Sequence, residues 1–291
     1  MWRHIEEDRA AAVIDTYTKY ARVGIRRESD GSTPLAVAIE HQSRTVIASL
    51  LDAKADILDE NFRNVSVFET AARMSAGGKH LAHMLVMTLP PQHSGKRVSS
   101  GATLLHIAAR YDCDAAAVSL HRNGGEQSHV TAGDAKLTPI ALAIVCGSFR
   151  TAKRLLWEKR NPIDATQVTL GRRKWSLLHL ACMGECRKPE KDHLAMVYDI
   201  LESTKAIDID AQDAVDGLTP LHLALCWRLN SVAKLLIKRG AKLSMQTKSG
   251  LTGTDIAVQC GIDPASLVVA LDQSVGTSSV LTPILNVYRL H

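Results

Sequence analysis

Gly217-Leu218-Thr219-Pro220-Leu221-His222-Leu223-Ala224 reads as the start of a helix. A threonine hydroxyl can accept a backbone N–H from the first helical turn, and proline suits the first helical position because the N–H it lacks would have no partner there. A small alanine then lets a second helix pack closely. Leu235-Leu236-Ile237-Lys238-Arg239-Gly240-Ala241 follows half a unit later, an apolar run in a helical pattern. The segment therefore predicts a helical hairpin.

The same register recurs along the chain. It stands at Thr33-Pro34-Leu35-Ala36-Val37-Ala38, Thr103-Leu104-Leu105-His106-Ile107-Ala108, Thr138-Pro139-Ile140-Ala141-Leu142-Ala143 and Ser176-Leu177-Leu178-His179-Leu180-Ala181. Two degenerate copies, Ser66 to Ala71 and Thr252 to Ala257, complete seven, with first positions spaced by 33, 37, 35, 38, 43 and 33 residues. Apolar pairs recur in the second halves at Leu50-Leu51, Leu155-Leu156, Ile200-Leu201 and Leu235-Leu236. A hairpin of this size cannot bury its own apolar faces, so neighbours stack, and stability becomes a sum of repeat and interface terms.

This period and motif resemble the ankyrin repeat, and the copy at 217–241 is similar to the family consensus nearly position for position. The resemblance covers residues 33–271 as seven repeats and implies an all-α solenoid of stacked helical hairpins with projecting loops. Ala55 to Val65 and Ala241 to Leu251 are expected to be such loops. Residues 1–32 are expected to form an N-terminal capping half-repeat, with a helical pattern over Glu6 to Tyr20 and a polar outer face. Residues 272–291, with Thr282-Pro283-Ile284-Leu285, read as a decayed repeat or a tail. Insertions stand around Pro90 to Gly101, Gly124 to Lys136, Asn161 to Lys174 and Gly184 to Asp192.

Composition narrows the function. Hydrophobic residues make up 46% of the 291 and charged ones 22%, enough for an extensive core, while aromatics at 4% suit a thin architecture filled by aliphatic side chains. The start, Met1 to Arg9, is charged, and no apolar run approaches the roughly 20 residues that cross a bilayer. Six scattered cysteines do not form a disulfide framework. The expectation is a soluble, intracellular, cytoplasmic protein with free thiols and no membrane insertion; the nucleus stays open.

Catalytic motifs are missing from the sequence. It contains no phosphate-binding loop, Cys-x-x-Cys, His-Glu-x-x-His or Gly-x-Ser-x-Gly, and Gly77-Gly78-Lys79 is read as a helix end. His179, Cys182, Cys186 and His193 could be set against zinc, but a spacing of three between the cysteines is looser than a structural pair. His179 shares its register with His106 and His222, where the resemblance implies hydrogen bonding between neighbouring loops, and Cys182 takes a small buried position. No metal, cofactor or small-molecule substrate is expected, and no enzymatic activity. The resemblance also does not support asparagine modification, because Leu58, Asp164, Asp210 and Ser244 stand where ankyrin loops often carry Asn.

Charge is uneven. Residues 150–191 hold eleven basic and four acidic side chains, and residues 192–216 hold seven acids and one base, so adjoining blocks of +7 and −6 partly neutralise each other. That arrangement speaks against nucleic acid, which a continuous basic face with stacking aromatics would serve better. Arg172, Arg173 and Lys174 are the basic residues expected to meet an acidic protein partner.

By the resemblance, the two residues following the conserved alanine pair of each first helix face a concave groove. In this chain those positions include Arg73, Met74, Arg110, Tyr111, Val145, Met183 and Trp227. Arg, Met and aromatic residues are enriched in the cores of protein interfaces. The reading is a protein-binding adaptor, scaffold or inhibitor; its alternatives are a regulatory subunit of an enzyme complex and a zinc- or nucleic-acid-binding module.

Overall fold

The computed structural model describes residues 1–20, 25–74, 76–90, 93–124, 137–158, 171–183, 188–203 and 206–267. Among them are sixteen helices and no β-strand, only isolated bridges that pair Glu60 with Ser66, Arg97 with Thr103 and Gln246 with Thr252. The chain forms two compact units, Met1–Pro162 and Ile163–His291. Residues 272–291 lie outside the described residues.

The first unit contains α1 (Trp2–Glu6), α2 (Ala10–Tyr20), α3 (Pro34–Glu40), α4 (Arg44–Asp52), α5 (Val67–Arg73), α6 (Ala76–Thr88), α7 (Leu104–Arg110), α8 (Asp114–Arg122), α9 (Pro139–Val145) and α10 (Phe149–Leu156). First helices pack in the series α1, α3, α5, α7, α9, while α2 packs on α4 and α6, α8 and α10 pack in turn. The second unit contains α11 (Leu177–Ala181), α12 (Glu190–Ser203), α13 (Pro220–Cys226), α14 (Asn230–Lys238), α15 (Gly253–Gln259) and α16 (Pro264–Leu267). There α11, α13 and α15 pack in one row and α12, α14 and α16 in another.

The predicted caps form in all seven copies. Thr33, Ser66, Thr103, Thr138, Ser176, Thr219 and Thr252 each accept the backbone N–H three residues on, at 3.1–3.4 Å. Five residues beyond each cap stands an alanine, at 38, 71, 108, 143, 181, 224 and 257, and every one is fully buried. A fully enclosed site in a close-packed row keeps this residue small, whereas the cap needs only a hydroxyl and accepts Thr or Ser.

Two backbone positions recur with positive φ. One lies in the turn between the two helices of a hairpin, occupied by Asp8, Gln42, Asp112, Gly147, Arg228 and Gly261. The other lies two residues before the cap, occupied by Gly31, Asn64, Gly101, Lys174, Gly217 and Gly250. Where an aspartate sits in the hairpin turn it also ties neighbouring repeats together. Asp112 Oδ1 accepts Thr151 N–H at 3.1 Å and Thr151 Oγ1–H at 3.0 Å, and Asp8 Oδ1 accepts Val46 N–H at 3.2 Å.

Two local expectations are revised. The N-terminal segment is a two-helix hairpin, with α1 packed on α3 and α2 on α4; Trp2–Glu6 lacks a threonine cap, so sequence reading saw only its second helix. Ser43 Oγ donates to Ile5 O at 2.6 Å across that junction. Gly77, Gly78 and Lys79 lie in the first turns of α6 and do not end a helix.

Candidate protein-binding surface

In the first unit the C-terminal ends of α3, α5, α7 and α9 lie in sequence along the row of first helices, which brings the predicted residues there onto neighbouring helices. Arg73 and Arg110 are exposed, while Met74, Tyr111 and Val145 are half-buried. Tyr111 is the C-cap of α7. Its hydroxyl donates to Glu69 Oε1 of α5 at 2.8 Å, and the Arg110 guanidinium lies 5.7 Å from its ring centre. Burial, then the bond to the Glu69 carboxylate, pushes the Tyr111 phenol above its ordinary value, so it remains a neutral donor. The ring is held in one orientation with part of its surface open.

The second unit places its residues differently. Trp227, the C-cap of α13, is half-buried. Met183 is 3% exposed and belongs to the core, so it offers no contact surface. Arg172 and Lys174 are exposed. Arg173 binds Asp213 Oδ2 at 2.9 Å and Asp216 Oδ2 at 2.7 Å and lies 5.5 Å from the Trp175 ring. Its charge serves the unit internally, because Asp213 is a fully buried carboxylate that requires compensation. Burial acts to raise the Asp213 pKa, but the backbone N–H groups of Leu218 and Asp216 and the Arg173 guanidinium together hold it below the usual range. The adjoining basic and acidic blocks of the sequence meet at this cluster, while Glu202 of the acidic block pairs with Arg239 beyond α14, 2.7 Å apart.

Three of the four residues weighed against zinc are enclosed or bonded elsewhere. His179 Nδ1 accepts the Ser176 N–H at 3.2 Å and its Nε2 lies 3.0 Å from Leu218 O; His222 repeats this with Thr219 N at 3.1 Å and Met245 O at 3.1 Å. These are the loop-to-loop bonds implied for that register. His193 Nδ1 bonds Ala181 O at 2.9 Å, and Cys182 is fully buried, which pushes its thiol pKa upward. Cys186 lies outside the described residues. No metal-binding cluster is found among the described residues, and none of their helices is long and apolar enough to cross a membrane.

Two exposed apolar side chains lie off the row of first-helix ends. Phe62 is 69% exposed at a loop tip, covering Gly31, and Met87 is 67% exposed on α6. The available signal was an aromatic residue between Asn61 and Arg63 in an otherwise polar loop.

Hydroxyl-capped first helices, buried alanines and histidine bonds between successive loops define a helical-hairpin repeat protein. Residues 142–247 match the family model for ankyrin repeats in three copies. Residues 142–247 are thus ankyrin repeats, and the chain has the ankyrin-repeat fold. The crystal structure of the ankyrin repeat domain of Bcl-3, described as a unique member of the IkappaB protein family, is similar in fold, with a TM-score of 0.59 and 20% identity over 78% of this chain and 95% of that one. Comparison with curated protein sequences finds no match.

Proposed function

We propose that the chain is a non-enzymatic adaptor, scaffold or inhibitor that docks a protein partner on the ends of its first helices. Ankyrin repeats are in general protein-interaction modules. The observation that carries the reading is the Arg73, Met74, Arg110 and Tyr111 row, where an aromatic ring already fixed by Glu69 is flanked by two exposed guanidinium groups. A pre-ordered aromatic loses little side-chain entropy on binding, and exposed arginines favour an acidic partner surface. Trp227 with Arg172 and Lys174 supplies corresponding chemistry on the second unit. Cysteines scattered along the chain without the dense spacing of a secreted disulfide scaffold fit an intracellular, cytoplasmic setting.

The test is affinity purification with the intact chain beside a Tyr111→Ala, Arg110→Ala variant of matched folding, followed by affinity measurement with the purified partner. A partner bound by the intact chain and lost from the variant supports the reading. A partner retained by both places docking elsewhere.

A further inference from the structure

Cys226 is the last residue of α13, and Cys260 is the C-cap of α15, the next first helix in the row. The packing of α13 on α15 brings the two thiols together across the repeat boundary, near enough to perturb one another, and both are half-buried. Arg228 stands in the turn after α13, with its Nη2 3.8 Å from where a Cβ on Gly261 would lie, which brings the guanidinium over the Cys260–Gly261 turn. A thiol pair in contact, with solvent access and a cation beside one member, is the arrangement in which a thiolate forms and a second sulfur is positioned to trap its oxidised product.

We propose that Cys226 and Cys260 are a peroxide-sensitive dithiol, with Cys260 the attacking thiolate, Cys226 the resolving thiol, and a reversible disulfide between the last two capped repeats as the product. The Cys260 thiolate attacks one peroxide oxygen; the O–O bond breaks, hydroxide leaves and is protonated to water, and Cys260 becomes a sulfenic acid. Cys226 gives up its proton and attacks the sulfenic sulfur, so the S–S bond forms, the S–O bond breaks, and a second water departs. Two thiols together lose two electrons and hydrogen peroxide gains them.

The electrostatics favour these roles. The neighbouring Cys226 thiol, and then Arg228, draw the Cys260 pKa below that of an ordinary thiol, whereas the Cys260 sulfur and burial push Cys226 up. Cys113 is a contrast: burial pushes its thiol up to about 11. A disulfide needs its sulfurs about 2 Å apart, so closing it calls for both side chains to rotate toward one another.

The experiment treats the full chain near neutral pH with stoichiometric hydrogen peroxide, alkylates the remaining thiols and maps the peptides. The expected product is a Cys226–Cys260 link, formed about tenfold faster than Cys113 is oxidised and reversed by dithiothreitol. In Cys226→Ser, Cys260 should be trapped as a dimedone-reactive sulfenic acid. Arg228→Gln should slow loss of the Cys260 thiol several-fold and leave Cys113 unchanged; Gln42 occupies the equivalent turn at φ 55, so the fold accepts that residue. Circular dichroism of each variant checks folding. The proposal is overturned if both cysteines stay alkylatable while other thiols oxidise, or if Cys260 oxidises in the parent chain and Cys226 remains free.

Discussion

Tyr111 and Glu69, 42 residues apart in sequence, are joined by a 2.8 Å hydrogen bond that links the end of α7 to the first turn of α5. The bond orders an aromatic ring at a helix end without burying it completely.

That relationship separates binding from folding. Tyr111→Phe should cost about 0.5–1.5 kcal/mol of stability, the net worth of one hydrogen bond. Tyr111→Ala and Trp227→Ala should each weaken partner affinity by on the order of 2 kcal/mol, with a smaller loss of stability than the roughly 3–5 kcal/mol of a core aromatic truncation. Melting and titration calorimetry on the same proteins decide it. Deep destabilisation with normal affinity at a temperature where the variants are folded would assign both residues to the core.

Ala224 is fully buried in the row of first helices. Ala224→Glu should cost on the order of 3–5 kcal/mol, because it buries a carboxylate with no partner and overfills a methyl-sized space. Chemical denaturation should show a large fall in midpoint for the second unit. An unchanged midpoint would break the register on which the repeat assignment rests.

Lys174 and Gly217 hold the same position, two residues before a cap, at φ 50 and 69. A left-handed backbone costs an L-residue roughly 1–2 kcal/mol, and glycine gives back about 0.5–1 kcal/mol in unfolded-chain entropy, so Lys174→Gly should gain about 0.5 kcal/mol. Gly217→Ala should lose about 0.5 kcal/mol on the same reckoning, and more because the new Cβ would stand 3.1 Å from Lys248 N. Denaturant midpoints moving in opposite directions are the expected result.

Burial pushes the His179 and His222 pKa values down, more than their bonds to Leu218 O and Met245 O raise them. With Nδ1 accepting a backbone N–H, each ring is neutral and its Nε2–H donates to the carbonyl. The unfolded chain takes up protons near the ordinary imidazole value of about 6.5, where the folded chain resists them. Their contribution is thus complete above that value and is lost as pH falls through the depressed folded values. Tm should decline between neutral pH and about pH 5, and a His179→Gln, His222→Gln double variant should start lower and show a shallower decline. An equally steep slope in that variant would assign the acid sensitivity to other groups.

The caps and the buried alanines were readable because each rests on a residue type with one geometric use: a hydroxyl that accepts an N–H, a methyl that fits a narrow gap. Even Ser66 and Thr252, in degenerate copies, obey it. The hairpin turns were harder to see, since Gln42, Asp112 and Arg228 adopt there a backbone that sequence patterns associate with glycine. At the candidate surface, spacing placed Tyr111 and Trp227 at helix ends but could not distinguish open from covered. Met183 shares their approximate register and is enclosed, and Arg173 sits in a basic run yet is bound by Asp213 and Asp216. Both outcomes depend on what another stretch of chain contributes, which local pattern does not encode.

The seven caps impose their demands on one oxygen and one methyl per repeat. Six of the seven capped first helices close on a residue outside those demands, so Glu40, Arg73, Arg110, Val145, Cys226 and Gln259 can differ in charge, size and reactivity at the ends of nearly identical helices. Such a chain separates grammar from vocabulary: the outward-facing words can be rewritten one repeat at a time while the rule that folds the sentence stays the same.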